Sequence, residues 1–251
     1  RVSNPLTILD SILKYDKRDD IWYESLVGGA TSVHNFDEAS AALSVTTSGD
    51  EVIRQTRAYY RYQPGKSQLI FMTFALGAGC FEVTKRVGYF DGENGIFLEE
   101  IDGQVWIVKR SNVTGSVVDT RVHQDDWNLT SWDGTQVGGS ILDIEKTQIL
   151  VIDLQWLGVG RVRVGFDVGG VLFYVHEFNH ANIESAVYIT TAQLPCRYQI
   201  VATATPPQGV TTMHQICSCI MSEGGIEERP GIPHGVNSGP PAGVSGTLIP
   251  I

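Results

Sequence analysis

Apolar and polar side chains alternate along most of this chain with the period of a β-strand. Residues 68–76 form a β-rich apolar run that stops at Gly77-Ala-Gly79. Residues 81–90 alternate apolar with polar, 91–95 are a turn cluster, and 96–101 resume the apolar run. Asp102-Gly103 is a two-residue hairpin signal, after which residues 104–110 return antiparallel. Residues 68–110 therefore predict a β-meander of at least four strands. The pattern resumes over 147–156 and turns at Leu157-Gly-Val-Gly160. It then alternates Arg with Val over 161–166, so one face is wet and one is buried. Gly169-Gly170 marks another tight turn before 171–178, and two further strands are predicted over 186–191 and 197–203.

Helical signal is scarce. Leu6, Leu9, Ile12 and Leu13 predict one short helix over residues 6–14, ended by the charged cluster at 16–20. Strands separated by turns rather than helices mean an antiparallel architecture, not βαβ units. Roughly twelve short strands predict an all-β, two-sheet sandwich of jelly-roll or lectin-like type. The predicted organisation is an N-terminal segment over 1–20 and a β-sandwich domain over 21–204. A Pro/Gly-rich arm or linker over 205–251 would lead to a further domain. Seven of the ten prolines lie in that last stretch, where only His214–Met221 has strand-like content. The chain opens on Arg1 and closes on an extended-looking Thr247–Ile251, and both ends read as a window on a longer protein.

Composition narrows the function. Hydrophobic residues make up 42% of the chain, enough to bury a core, which excludes disorder along its whole length. No apolar run approaches the roughly 18 residues of a membrane-spanning helix, so no membrane partner is expected. Eighteen Lys+Arg against 28 Asp+Glu leave a net charge of −10, which argues against a broad basic face for nucleic acid. Four cysteines, Cys80, Cys196, Cys217 and Cys219, are too sparse for a disulfide scaffold and are read as free buried thiols.

Three groups of residues carry candidate chemistry. His176-Glu-Phe-Asn-His180 matches H-E-x-x-H, in which a helix sets both histidines on one face around a zinc ion. Strand-type residues precede it here and a turn follows it. On a strand, i and i+4 lie about 13 Å apart at a rise of roughly 3.3 Å per residue. A zinc-dependent hydrolase using His176, Glu177 and His180 is therefore the weakest of the functional readings, and neither metal nor cofactor is expected. The loop around Trp127, Trp132 and Asp133 combines aromatic faces with carboxylates, which suits a sugar with a calcium ion. The competing reading has both tryptophans anchoring the loop on the core. Arg57, Tyr59, Tyr60 and Tyr62 mix cations with aromatics, a composition typical of subunit interfaces.

Several blocks resemble virion structural proteins of tailed bacteriophages and related environmental viral sequences. They are residues 57–74, Arg86–Phe97, Trp156–Phe166, His176–Asn182 and 215–225. The resemblance implies a non-enzymatic protein located in the virion, as a capsid decoration, head fibre or tail-fibre component. Its partners would be other copies of itself, with a trimer favoured, and other virion proteins. The alternative is a carbohydrate-binding host-recognition module that contacts a host-surface glycan.

Overall fold

The alternation is realised as strands throughout. The computed structural model describes residues 5–134, 141–207 and 209–224. Among them lie fifteen strands and one 3-10 turn, Gln124–Asp126. In chain order the strands are β1 (Pro5–Ile12), β2 (Trp22–Val27), β3 (Thr31–Asn35), β4 (Ser40–Val45) and β5 (Glu51–Thr56). Next come β6 (Gln68–Ala75), β7 (Val83–Phe90), β8 (Gly95–Ile101), β9 (Gln104–Ser111) and β10 (Val118–His123). The last five are β11 (Gln148–Leu154), β12 (Arg161–Val168), β13 (Val171–Asn179), β14 (Cys196–Ala202) and β15 (Thr211–Glu223). They form two antiparallel sheets. The eight-stranded sheet runs β13-β12-β11-β6-β15-β4-β3, with β1 also paired to β15. The seven-stranded sheet runs β10-β9-β8-β7-β14-β5-β2. The predicted all-β, two-sheet sandwich is the fold of this chain.

One apolar core lies between the sheets, supplied by every second residue of each strand. Ile70, Met72 and Phe74 of β6 and Leu150, Ile152 and Leu154 of β11 face Val87 and Tyr89 of β7 and Tyr198 and Ile200 of β14. Polar bridges cross this core. The Tyr198 hydroxyl donates to the Thr73 carbonyl at 3.1 Å and lies 3.0 Å from the Ser218 hydroxyl. Arg54 on β5 is fully buried and donates from Nε to Gln215 Oε1 on the opposite sheet at 2.5 Å. Gly88 allows β7 and β8 to close up, because a Cβ there would lie 2.5 Å from the Phe97 Cα. The outer face of the seven-stranded sheet carries an ionic ladder. Buried Glu99 accepts from Arg86 at 2.7 Å and from Arg121 at 2.6 Å, and Asp119 pairs with Arg110 at 2.8 Å.

Four expectations are corrected. Residues 6–14 are not helical: Pro5–Ile12 is a strand along β15. A register shift between Thr7 and Leu9 breaks the two-residue period, so the apolar spacing imitates a helix while Leu9, Ser11 and Leu13 all point inward. The meander runs β7-β8-β9-β10, because the chain crosses to the other sheet after β6. Residues 186–191 form no strand; side chains of neighbouring segments bond their backbone instead. Finally, β15 sits inside the eight-stranded sheet, between β6 on one side and β4 and β1 on the other. Its bulge between Gln215 and Ser218 lets inward residues pass from Thr211, Met213 and Gln215 to Ser218, Ile220 and Ser222. The sandwich thus takes in strands on both sides of 21–204, and residues 225–251 of the predicted arm lie outside the described residues.

Two turns are fastened by Asp50, which is shut off from solvent. Its carboxylate accepts from the backbone N–H groups of Gly29, Thr46 and Thr47 and from the hydroxyls of both threonines. Those backbone bonds, Thr46 first, hold its pKa far below the ordinary carboxylate value of roughly 3.9. A carboxylate depressed on folding stabilises the protein above its unfolded value, and that stability is lost as pH falls towards the folded one. Thermal midpoints are expected to drop progressively below about pH 4, and Asp50→Asn is expected to flatten that slope. An unchanged slope in the variant would refute the assignment.

Candidate functional site

The strongest candidate site begins with a charged residue at a core position. On β9, Val105 and Ile107 point into the sandwich, and Lys109 and Ser111 continue the same parity. On β10, Val118 and Thr120 share the parity of Val122, which packs against the core. The segment after β13 covers these positions in place of a facing strand. Lys109, Ser111, Val113, Thr114, Val118, Thr120, Glu184, Val187 and Tyr188 enclose a cavity of about 240 Å³.

The segment that walls this cleft is set by local chemistry. The His180 carbonyl accepts from the N–H groups of Ile183 and Glu184, and Asn182 takes a positive φ of 60°, a conformation asparagine tolerates. Gly158 admits the segment, since a Cβ there would lie 2.2 Å from the Ala186 carbonyl oxygen. The Tyr188 hydroxyl donates to the Gln155 carbonyl at 2.8 Å. The His180 ring stacks on Tyr188 with centroids 3.8 Å apart and planes 6° from parallel.

His180 lies behind two lining residues of the cleft, Tyr188 and Lys109. Its Nδ1 lies 3.0 Å from the Gly160 carbonyl oxygen, which can only accept, so Nδ1 carries the proton. Nε2 then accepts from Lys109 Nζ at 3.3 Å. Burial first, and Lys109 in addition, hold the imidazole below its ordinary pKa. Lys109 is half-buried and also lies 5.4 Å from the Phe178 ring centroid; burial lowers its pKa, against a nearby Glu184. The three hydroxyls keep hydrogen-bonding capacity. Ser111 accepts from the Val113 N–H and retains its own donor; Thr114 donates to the Ser116 carbonyl and retains its lone pairs. The Thr120 hydroxyl makes no hydrogen bond among the described residues.

The residues singled out from sequence go to different places. Trp127 and Trp132 are 5% and 6% exposed and pack on Phe166, with Trp132 also on Phe173. Neither offers a ring face to a sugar, while Asp133 alone of that loop set is exposed, so of the two readings of this loop the packing favours the core anchor. Arg57 and Tyr59 are exposed and Tyr60 is half-buried. Tyr62 is buried edge-on to Trp156, and its hydroxyl accepts from the Trp156 N–H at 3.0 Å, which removes it from any interface. His176 and His180 have separate partners: Nδ1 of His176 accepts from the Asn128 N–H at 3.3 Å. No group of three or more His, Cys, Asp or Glu side chains among the described residues is placed to hold a metal. The cleft was hidden because its residues come from three separate segments. One signal existed: Val105-x-Ile107-x-Lys109 puts a cation on the inward side of a strand.

No protein-family model matches the sequence, and no curated protein matches it. Among solved structures, the fold is similar to that of a mutant of HCR/D, at 8% identity over 85% of this chain and 48% of that one, with a TM-score of 0.50. The botulinum neurotoxin serotype D binding domain aligns at 10% identity over 86% of this chain and 48% of that one, with a TM-score of 0.49. The binding domain of botulinum neurotoxin DC in complex with SialylT aligns at 12% identity over 85% and 47%, with a TM-score of 0.44. This chain spans about half the length of each. The likeness to the HCR/D mutant is one of fold.

Proposed function

We propose that this chain is a carbohydrate-binding module and that the cleft between the β9–β10 hairpin and residues 184–188 is its binding site. The chemistry of the cleft carries the reading. Three hydroxyl side chains, an ammonium and a carboxylate stand around a floor of Val113, Val118 and Val187 against the fixed Tyr188 ring. A sugar ring likewise presents hydroxyls at its edge and C–H groups on its faces. The cavity, about 240 Å³, is below the roughly 300–1,000 Å³ of sites for drug-sized ligands, so it suits one ring. In the setting implied by the phage resemblance, such a module would serve as the host-recognition part of a particle.

A glycan array tests this directly. The chain is expected to bind a defined set of glycans, and Ser111→Ala combined with Thr120→Val is expected to weaken that binding. Each hydrogen bond lost is worth about 0.5–1.5 kcal/mol, so the double variant should bind roughly tenfold more weakly. Binding to no glycan, or equal binding by the variant, would overturn the reading.

A second reading, assembly through subunit contacts, is favoured by a separate observation. Tyr23, Leu26, Val27, Val33 and Phe36 stand exposed along and beside the edge strands β2 and β3. Light scattering on the purified chain is expected to report a trimer; a monomer at micromolar concentration would dismiss this reading.

A further inference from the structure

We propose that the cleft holds a monovalent anion against Lys109, the carboxylate of an acidic monosaccharide. The inference rests on the glycan reading and adds the class of sugar. Charges taken out of water are normally met by opposite charge, and most other shielded cations of this fold follow that rule. Lys85 meets Glu100 at 3.3 Å, Arg86 meets Glu99 at 2.7 Å and Arg110 meets Asp119 at 2.8 Å. Arg54 pairs with Glu24, and Arg163 with Asp153. Arg197, without a carboxylate contact, is sealed by Gln55 Oε1 at 2.8 Å and by the Phe90 ring.

Lys109 differs from all of these. Its ammonium meets the neutral Nε2 of His180 at 3.3 Å, and among the described residues it touches no carboxylate. It also lines an open cavity. A neutral imidazole accepts one hydrogen bond, and Glu184 acts on the charge from the rim without a salt-bridge contact, so two ammonium protons stay free for a ligand. The rest of the cleft sets the charge that fits. There is one cation, and Glu184 lies on the same rim, so a phosphate or sulfate dianion would meet about twice the repulsion that a carboxylate meets. Ser111 and Thr120 then face the hydroxyls of the ring that bears it.

Calorimetric or NMR titration of the 251-residue chain with glucuronate, glucose and acetate tests the proposal. Glucuronate is expected to bind at least tenfold more tightly than glucose. Lys109→Met should abolish that preference and Lys109→Arg should keep most of it. Thermal midpoints identify a variant that fails to fold, and if Lys109→Met fails, loss of the preference on raising NaCl from low to molar concentration replaces it. Glucose bound as tightly as glucuronate would overturn the anion inference and leave the glycan reading standing. Acetate bound at Lys109 with neither sugar bound would overturn the glycan reading and, with it, the sugar half of this proposal. A glucuronate preference that survives Lys109→Met would place the anion elsewhere and overturn the inference.

Discussion

Arg54→Ala is expected to destabilise the sandwich by about 3–5 kcal/mol, the range found when one partner of a buried ionic group is removed. Arg54 is fully buried, and three separate elements depend on it. Its Nε serves Gln215 of the opposite sheet, its Nη1 pairs with Glu24 on β2, and its Nη2 donates to the Lys17 carbonyl. Its guanidinium also lies 5.5 Å from the Trp22 ring centroid. Alanine would leave Gln215 Oε1 and the Lys17 carbonyl without donors inside the protein, and it would open a void beside Trp22. Glu24 would keep Lys17 at 2.6 Å and Ser32 at 2.6 Å, so the loss falls mainly on the link between sheets. Urea unfolding measures it. Arg54→Met should recover part of the loss, because a side chain of similar length refills the void beside Trp22 while Glu24 keeps Lys17. An alanine variant within about 0.5 kcal/mol of wild type, the range of an ordinary surface change, would show that the network does not hold the sheets together.

Trp132→Ala is expected to cost a comparable amount, about 3–5 kcal/mol for a buried tryptophan cut back to alanine. The indole fills the space between Phe166 and Phe173, at centroid distances of 5.2 Å and 6.0 Å. Had this ring been a sugar platform, the same substitution would have removed binding and spared the fold. The structure predicts the opposite: a lowered thermal midpoint, with glycan affinity per folded molecule unchanged. A stable Trp132→Ala protein that no longer binds glycans would return the site to the 125–134 loop.

The two sheets were legible because alternation reports burial directly. β7, β8, β9 and β12 lie within a residue or two of the bounds the pattern predicts. What the pattern could not show were the places where backbone irregularity breaks the period of two. The shift at Thr7/Leu9 turned a strand into an apparent helix, and the bulge before Ser218 hid a central strand among small polar residues in proline-rich surroundings. The candidate site was illegible for a different reason. His180 drew attention through a motif whose geometry belongs to helices, and the strand gave it other partners, Gly160, Lys109 and Tyr188. Lys109 itself looked like one more polar residue in an alternating run. Only its parity with Val105 and Ile107 marked it as a cation turned towards the interior.

The pairing of β1 with β15 has a consequence for how the molecule is made. These are the first and last strands described, and β15 also separates β4 from β6. While the polypeptide emerges from the ribosome, the eight-stranded sheet lacks its middle, and the edges of β4, β6 and β1 wait unpaired. Closure therefore depends on contacts of long sequence separation, the kind that slow folding and expose intermediates to aggregation. A truncation before Thr211 would remove the seam that joins the two halves of a sheet, so expression trials that trim the chain there should yield insoluble material.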